Sequence, residues 1–144
     1  MLRVNHSVLQ KMKLHAGHAY PEECCGMLLG NDDDSGRIVY DVIEMKNERS
    51  ESRGRRFLIT PEEYRRVEED AAKRGLGIIG LYHSHPDHPA EPSQFDLEHA
   101  MPWWSYMILS VEARRATTVR SWVLLDDRRG YDEEEVRILG DDVD

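Results

Sequence analysis

The chain has 144 residues, 40% of them apolar, and sets 28 acidic against 19 basic side chains for a formal charge of -9. That size suits one domain with an ordinary core, and the apolar content excludes a disordered chain. The acidic balance argues against nucleic acid as the main partner, and no apolar run reaches the length of a membrane span.

The first twenty residues lack the apolar core and cleavage site of a secretory signal, so a cytoplasmic protein is expected. Val8, Leu9, Met12, Ala16 and Ala19 recur at helical spacing and predict a helix over 7–19, stopped by Pro21. "CCGMLLG" reads as a short buried strand ended by Gly30, "NDDDSG" (31–36) as a turn, and "RIVYDVIEM" (37–45) as the returning strand. Cys24 and Cys25 are neighbours, which disfavours a structural disulfide, and are expected as reduced, buried thiols. A polar loop follows over 47–55, then a short strand "RFLI". Thr60, Pro61 and Glu63 form a helix start with a capping box, and the helix runs through Tyr64, Val67 and Ala71 to Gly75. "GIIGLYHSH" (77–85) is a near-continuous apolar run suited to the middle of a covered sheet. Ser93 can cap a third helix ending near Met101, and "YMILSV", "SWVLLD" and "VRIL" read as further strands. These elements predict a single α/β domain over 1–144, core about 5–140, with a mixed β-sheet flanked by helices.

His83 and His85 stand two apart, so on a strand both point to one face and can converge where Pro86 breaks the run. Asp96 falls in the first turn of the next predicted helix, close to that end. Two imidazoles and one carboxylate fill three positions of a tetrahedral zinc and leave the fourth for water, whose pKa the metal lowers to about 7. Ser93 can offer its hydroxyl to an oxyanion, although it would cap the helix in any case. The candidate proton shuttle is Glu23, with Glu22 as the competing acid. His88 is expected to face solvent or substrate, because a fourth protein ligand would close the open position. His6, His15 and His18 are expected at the surface, Ser84 away from the metal, and Trp103 and Trp104 in core or rim packing.

An upstream Glu, then His-x-His, seven residues, Ser, two residues and Asp is the pattern of the JAMM (MPN-plus) zinc metallopeptidases. His83-Ser84-His85, Ser93 and Asp96 match it in spacing, and "PEECCG" resembles the Pro-x-Glu-x-Cys-Gly element of small bacterial members. The resemblance implies a cytidine-deaminase-like fold and one zinc per chain held by His83, His85 and Asp96. It also implies Glu23 as acid/base in place of Glu22, and Ser93 beside the oxyanion. The implied reaction is cleavage of the peptide or isopeptide bond after the Gly-Gly tail of a ubiquitin-like protein, with a sulfur carrier expected for so compact a chain. The deaminase H-x-E with C-x-x-C signature and the HExxH motif are both absent. The rival readings are a non-catalytic interaction scaffold on the same fold, and a zinc amidohydrolase acting on a small amide.

Overall fold

A computed structural model of the chain describes residues 1–45, 60–94, 100–127 and 129–140. The elements run β1 Leu2–Asn5, α1 His6–Ala19, β2 Cys25–Asp33, β3 Gly36–Met45, α2 Pro61–Lys73, β4 Gly77–Pro86, β5 Ser105–Glu112, β6 Arg115–Leu124, β7 Tyr131–Glu134 and β8 Val136–Leu139. The eight strands among the described residues form one mixed sheet in the order β7-β6-β5-β4-β2-β3-β1-β8. The pairs β4–β5, β1–β3 and β1–β8 are parallel, and the remaining pairs are antiparallel. No described helix is long and apolar enough to cross a membrane.

β7 and β8 occupy opposite edges of the sheet, yet Glu135 alone separates them. The sheet must therefore curl until its two edges meet. α1 lies inside that curl and touches β1, β3, β4, β5, β6 and β8. Val8, Leu9, Met12 and Ala16 of α1 pack there on Leu2, Val4, Leu28, Val39, Tyr82, Met107 and Leu109. On the other face Cys25, Met27 and Leu29 of β2 pack against Val67 and Ala71 of α2. The predicted capping box starts α2: Glu63 N–H donates to Thr60 Oγ1 at 3.2 Å, and Thr60 N–H donates to the Glu63 carboxylate at 3.1 Å.

Several boundaries differ from the sequence reading. The turn expected over 31–36 shrinks to Asp34 and Ser35, because Asp32 and Asp33 stay in β2 as partners of Arg37 (2.8 Å) and Arg3 (2.6 Å). β1, β7 and the first half of β6 were not expected at all; β1 is four residues long, and the other two are polar on their solvent side. Trp104 packs as expected, stacked on Tyr64 at 5.8 Å, but Trp103 is 78% exposed. The strand expected at 56–59 lies outside the described residues. So does most of the third helix, of which only Gln94 is described as helical.

A β-bulge in β4 decides which way the histidines face. Leu28 pairs with Gly80 while its neighbour Leu29 pairs with Ile78, so Ile79 is an extra residue. Ile79 packs toward α1, Gly80 opposite Leu28 does the same, and Leu81 then turns to the α2 face. With strict alternation from Ile78, residues 83 and 85 would have pointed into the α1 core. A Cβ on Gly80 would lie 1.9 Å from the Ser105 carbonyl oxygen, so only glycine fits the bulge beside β5. Gly80→Ala is expected to cost about 3 kcal/mol, the upper end for an overpacked core, read as a fall in thermal midpoint of roughly 6–12 °C.

His15 is not the surface residue the sequence suggested. Its Nδ1 lies 2.8 Å from the Tyr82 hydroxyl, and its Nε2 lies 3.7 Å from Glu44. Burial holds the imidazole below its ordinary pKa despite the attraction of Glu44, and His18 adds to the lowering. A pKa lowered by folding means the unfolded chain takes the proton first. Stability from this group is therefore complete above the unfolded value of about 6.5, and is lost as pH falls from there toward the folded value. The slope of chemical-denaturation stability just below pH 6.5 should flatten in His15→Gln relative to the wild type.

Candidate metal centre

The bulge brings His83 and His85 onto the α2 face at the carboxyl end of β4. Both are buried, at 1% and 9% exposure, and their Nε2 atoms stand 3.1 Å apart. Two nitrogens about 2.0–2.1 Å from a tetrahedral zinc lie about 3.3 Å from each other, so the pair is spaced for one ion. His85 Nδ1 donates to the Pro89 carbonyl at 2.9 Å, which leaves Nε2 with its lone pair available to a metal. The donor set therefore fits zinc as far as it is described. Asp96, the expected third ligand, lies outside the described residues, and among those described no three His, Cys, Asp or Glu side chains form a metal-binding group.

Glu23 and Glu22 are separated by burial. Glu23 is 7% exposed, whereas Glu22 is exposed. Cys25 pairs with His83 across β2 and β4, and Ser84 continues the contact by one step. Cys24 N–H donates to Ser84 Oγ at 2.8 Å, and Ser84 N–H donates to the Cys24 carbonyl at 3.1 Å. Glu23 directly precedes this junction, one residue before Cys24 and two before the start of β2. Ser84 faces away from the histidines and ties the Glu23 segment to their strand.

The cysteines are poor rivals as nucleophiles or ligands. Both are buried and unpaired with each other, and burial pushes the Cys24 thiol up to about 11 and raises Cys25 further. His88 and Glu91 are exposed, as expected for the loop after β4. Ser93 is also exposed, on the approach to the segment that carries Asp96.

The loop that follows the histidines is fixed by residues with no signal in the sequence. Asp87 N–H donates to the Val111 carbonyl at 2.7 Å, and the Ser110 hydroxyl donates to the His88 carbonyl. Trp122 Nε1 donates to the Ala90 carbonyl at 3.0 Å, with Arg120 4.6 Å over its ring and 3.9 Å from Glu91. The Tyr20 hydroxyl meets the Asp87 carboxylate at 2.8 and 3.0 Å. Apart from Arg120 over Trp122, each contact joins residues far apart in the chain, so no local spacing could reveal it.

Residues 5–125 match the family model described as prokaryotic homologs of the JAB domain. The chain is 32% identical over 117 residues to a desampylase from Haloferax volcanii, covering 81% of each chain. It is 28% identical to a probable TtuB-protein conjugate cleaving protease from Thermus thermophilus, over 81% of this chain and 74% of that one. The solution structure of a protein from Desulfitobacterium hafniense superposes with a TM-score of 0.85 at 31% identity, covering 98% of this chain and 94% of the other. The chain belongs to the prokaryotic homologs of the JAB domain and is a hydrolase of the JAMM type.

Proposed function

We propose that this protein is a zinc-dependent metallopeptidase that hydrolyses the peptide or isopeptide bond after the C-terminal glycine of a ubiquitin-like sulfur carrier. The observation that carries the proposal is the convergence of the His83 and His85 Nε2 atoms at 3.1 Å in a buried site, on a strand joined to the segment of the buried Glu23 through the Cys24–Ser84 hydrogen bonds. The choice of substrate class rests on relatives whose names describe desampylation and the cleavage of protein conjugates.

His83 and His85, with Asp96, would hold one zinc per chain. When bound, zinc supplies Lewis-acid activation of a water near neutral pH and polarises the scissile carbonyl. Glu23 takes the proton from the attacking water and delivers it to the leaving amine, acting first as base and then as acid. Ser93 donates its hydroxyl to the carbonyl oxygen as negative charge develops there. The Pro89 carbonyl holds the His85 ring with Nε2 3.1 Å from His83 Nε2, where it would be available to the ion.

The test is the intact mass of a β-grasp carrier whose Gly-Gly tail is extended by one cysteine, incubated with zinc-loaded protein. Loss of the cysteine, blocked by chelation, is the expected result. An unchanged mass with protein that carries one zinc per chain would sink the proposed substrate and favour a scaffold or a small-amide hydrolase.

A further inference from the structure

We propose that Tyr20 and Asp87 form a clamp that sets Glu23 against the His83–His85 pair, which makes both of them positioning residues. The inference rests on the reading of Glu23 given above. Tyr20 lies three residues before Glu23, at the end of α1, and Asp87 lies two residues after His85. The phenol reaches both carboxylate oxygens, at 2.8 and 3.0 Å, and so crosslinks the two halves of the site across 67 residues of chain.

Glu23 is thereby enclosed between two ties to the histidine strand. On one side stands Tyr20 with Asp87; on the other, Cys24 with Ser84. Between them, Glu22 N–H donates to the Ala19 carbonyl at 2.8 Å and closes the turn that leaves α1. Few bonds remain free to move the Glu23 backbone.

Asp87 is an anchored partner. Its N–H is held by Val111, and its φ of +59 lies in the left-handed region that aspartate tolerates better than most residues. The Ser110 hydroxyl holds the next carbonyl, and Ser110 itself pairs with His85 across β4 and β5. The position of the phenol is thus referred to the same strands that aim the imidazoles. Hydrogen bonding to Asp87 also raises the Tyr20 phenol above its ordinary pKa, so it remains a donor throughout the neutral range.

An exposed bond of this kind contributes little to global stability. Its leverage is geometric, because a general base must sit within about 2.6–3.2 Å of its proton, and an error of about 1 Å can cost ~100-fold in rate. Removing the clamp should lower kcat and spare both substrate affinity and zinc.

The experiment compares zinc-loaded wild type with Tyr20→Phe, Asp87→Gly, Asp87→Asn and the Tyr20→Phe/Asp87→Gly double variant on the cysteine-extended carrier. Glycine accepts the backbone angle of Asp87 without the carboxylate, and asparagine keeps an acceptor oxygen. Tyr20→Phe and Asp87→Gly should each lower kcat about tenfold, with KM and zinc content within about twofold. The double variant should fall no further than the worse single, and Asp87→Asn should recover to within about threefold of wild type. Deuterium uptake across residues 20–25 should accelerate in both singles. Wild-type kcat in Tyr20→Phe, losses that multiply in the double variant, or unchanged deuterium uptake would each overturn the clamp. If the wild type itself is inert on this carrier, the proposed substrate fails, and the uptake measurement still decides the clamp.

Discussion

Glu23→Gln should bind zinc as the wild type does and lose about 10³-fold in turnover, within the 10²–10⁴ range typical of a general acid/base. Glutamine keeps the shape of the side chain and removes its ability to accept a proton. The comparison variant is Glu22→Gln, at the exposed neighbouring position, which should stay close to wild-type rate. Burial motivates the contrast: Glu23 is 7% exposed and tied through Cys24 to the strand that carries both histidines. Turnover by Glu23→Gln at more than a tenth of the wild-type rate would remove Glu23 from the proton-transfer role. A matching loss in Glu22→Gln would show that the assignment between the two acids was mistaken.

Loss of one imidazole should have a second large effect, on metal content. His85→Ala removes a ligand and its bond to Pro89 together, so zinc affinity should fall by more than the 10–100-fold typical of outer-shell changes. Zinc retained after desalting should drop from one per chain to under a tenth, with turnover falling in step. Chelation of the wild type followed by zinc should restore both, whereas the variant should recover neither. Full zinc occupancy in His85→Ala would exclude His85 as a ligand. His85 is the better choice for this test than His83, because His83 is the more deeply buried and its removal would also open a cavity.

The site residues differ in how far the sequence could place them. The offsets of His83, His85, Ser93 and Asp96 and the element around Glu23 are local patterns that a sequence can display; the structure describes the strand that carries the two histidines, while Asp96 lies outside the described residues. The preference for Glu23 over Glu22 came from resemblance, and burial supplies an independent physical reason for it. The cores of α1, α2 and the central strands were equally legible, since apolar periodicity reports which side of an element is buried. β1, β7 and the start of β6 escaped because β1 and β7 are only four residues long and the start of β6 is largely polar and exposed, without the apolar run that marks a core strand.

The sequence by itself named the candidate metal donors and acids of the proposed site, and the strand that carries His83 and His85. Tertiary structure decided where they point and how firmly they are held. Ile79 as an extra residue in β4 turns His83 and His85 from the α1 core to the α2 face, a shift that depends on the pairing register with β2. The ties from Tyr20 to Asp87 and from Trp122 to Ala90 join segments that are distant in the chain and meet only in the folded protein. Local pattern fixes the period of side chains along an element. Register and long-range hydrogen bonds form only when distant segments meet, and so they belong to the folded chain alone.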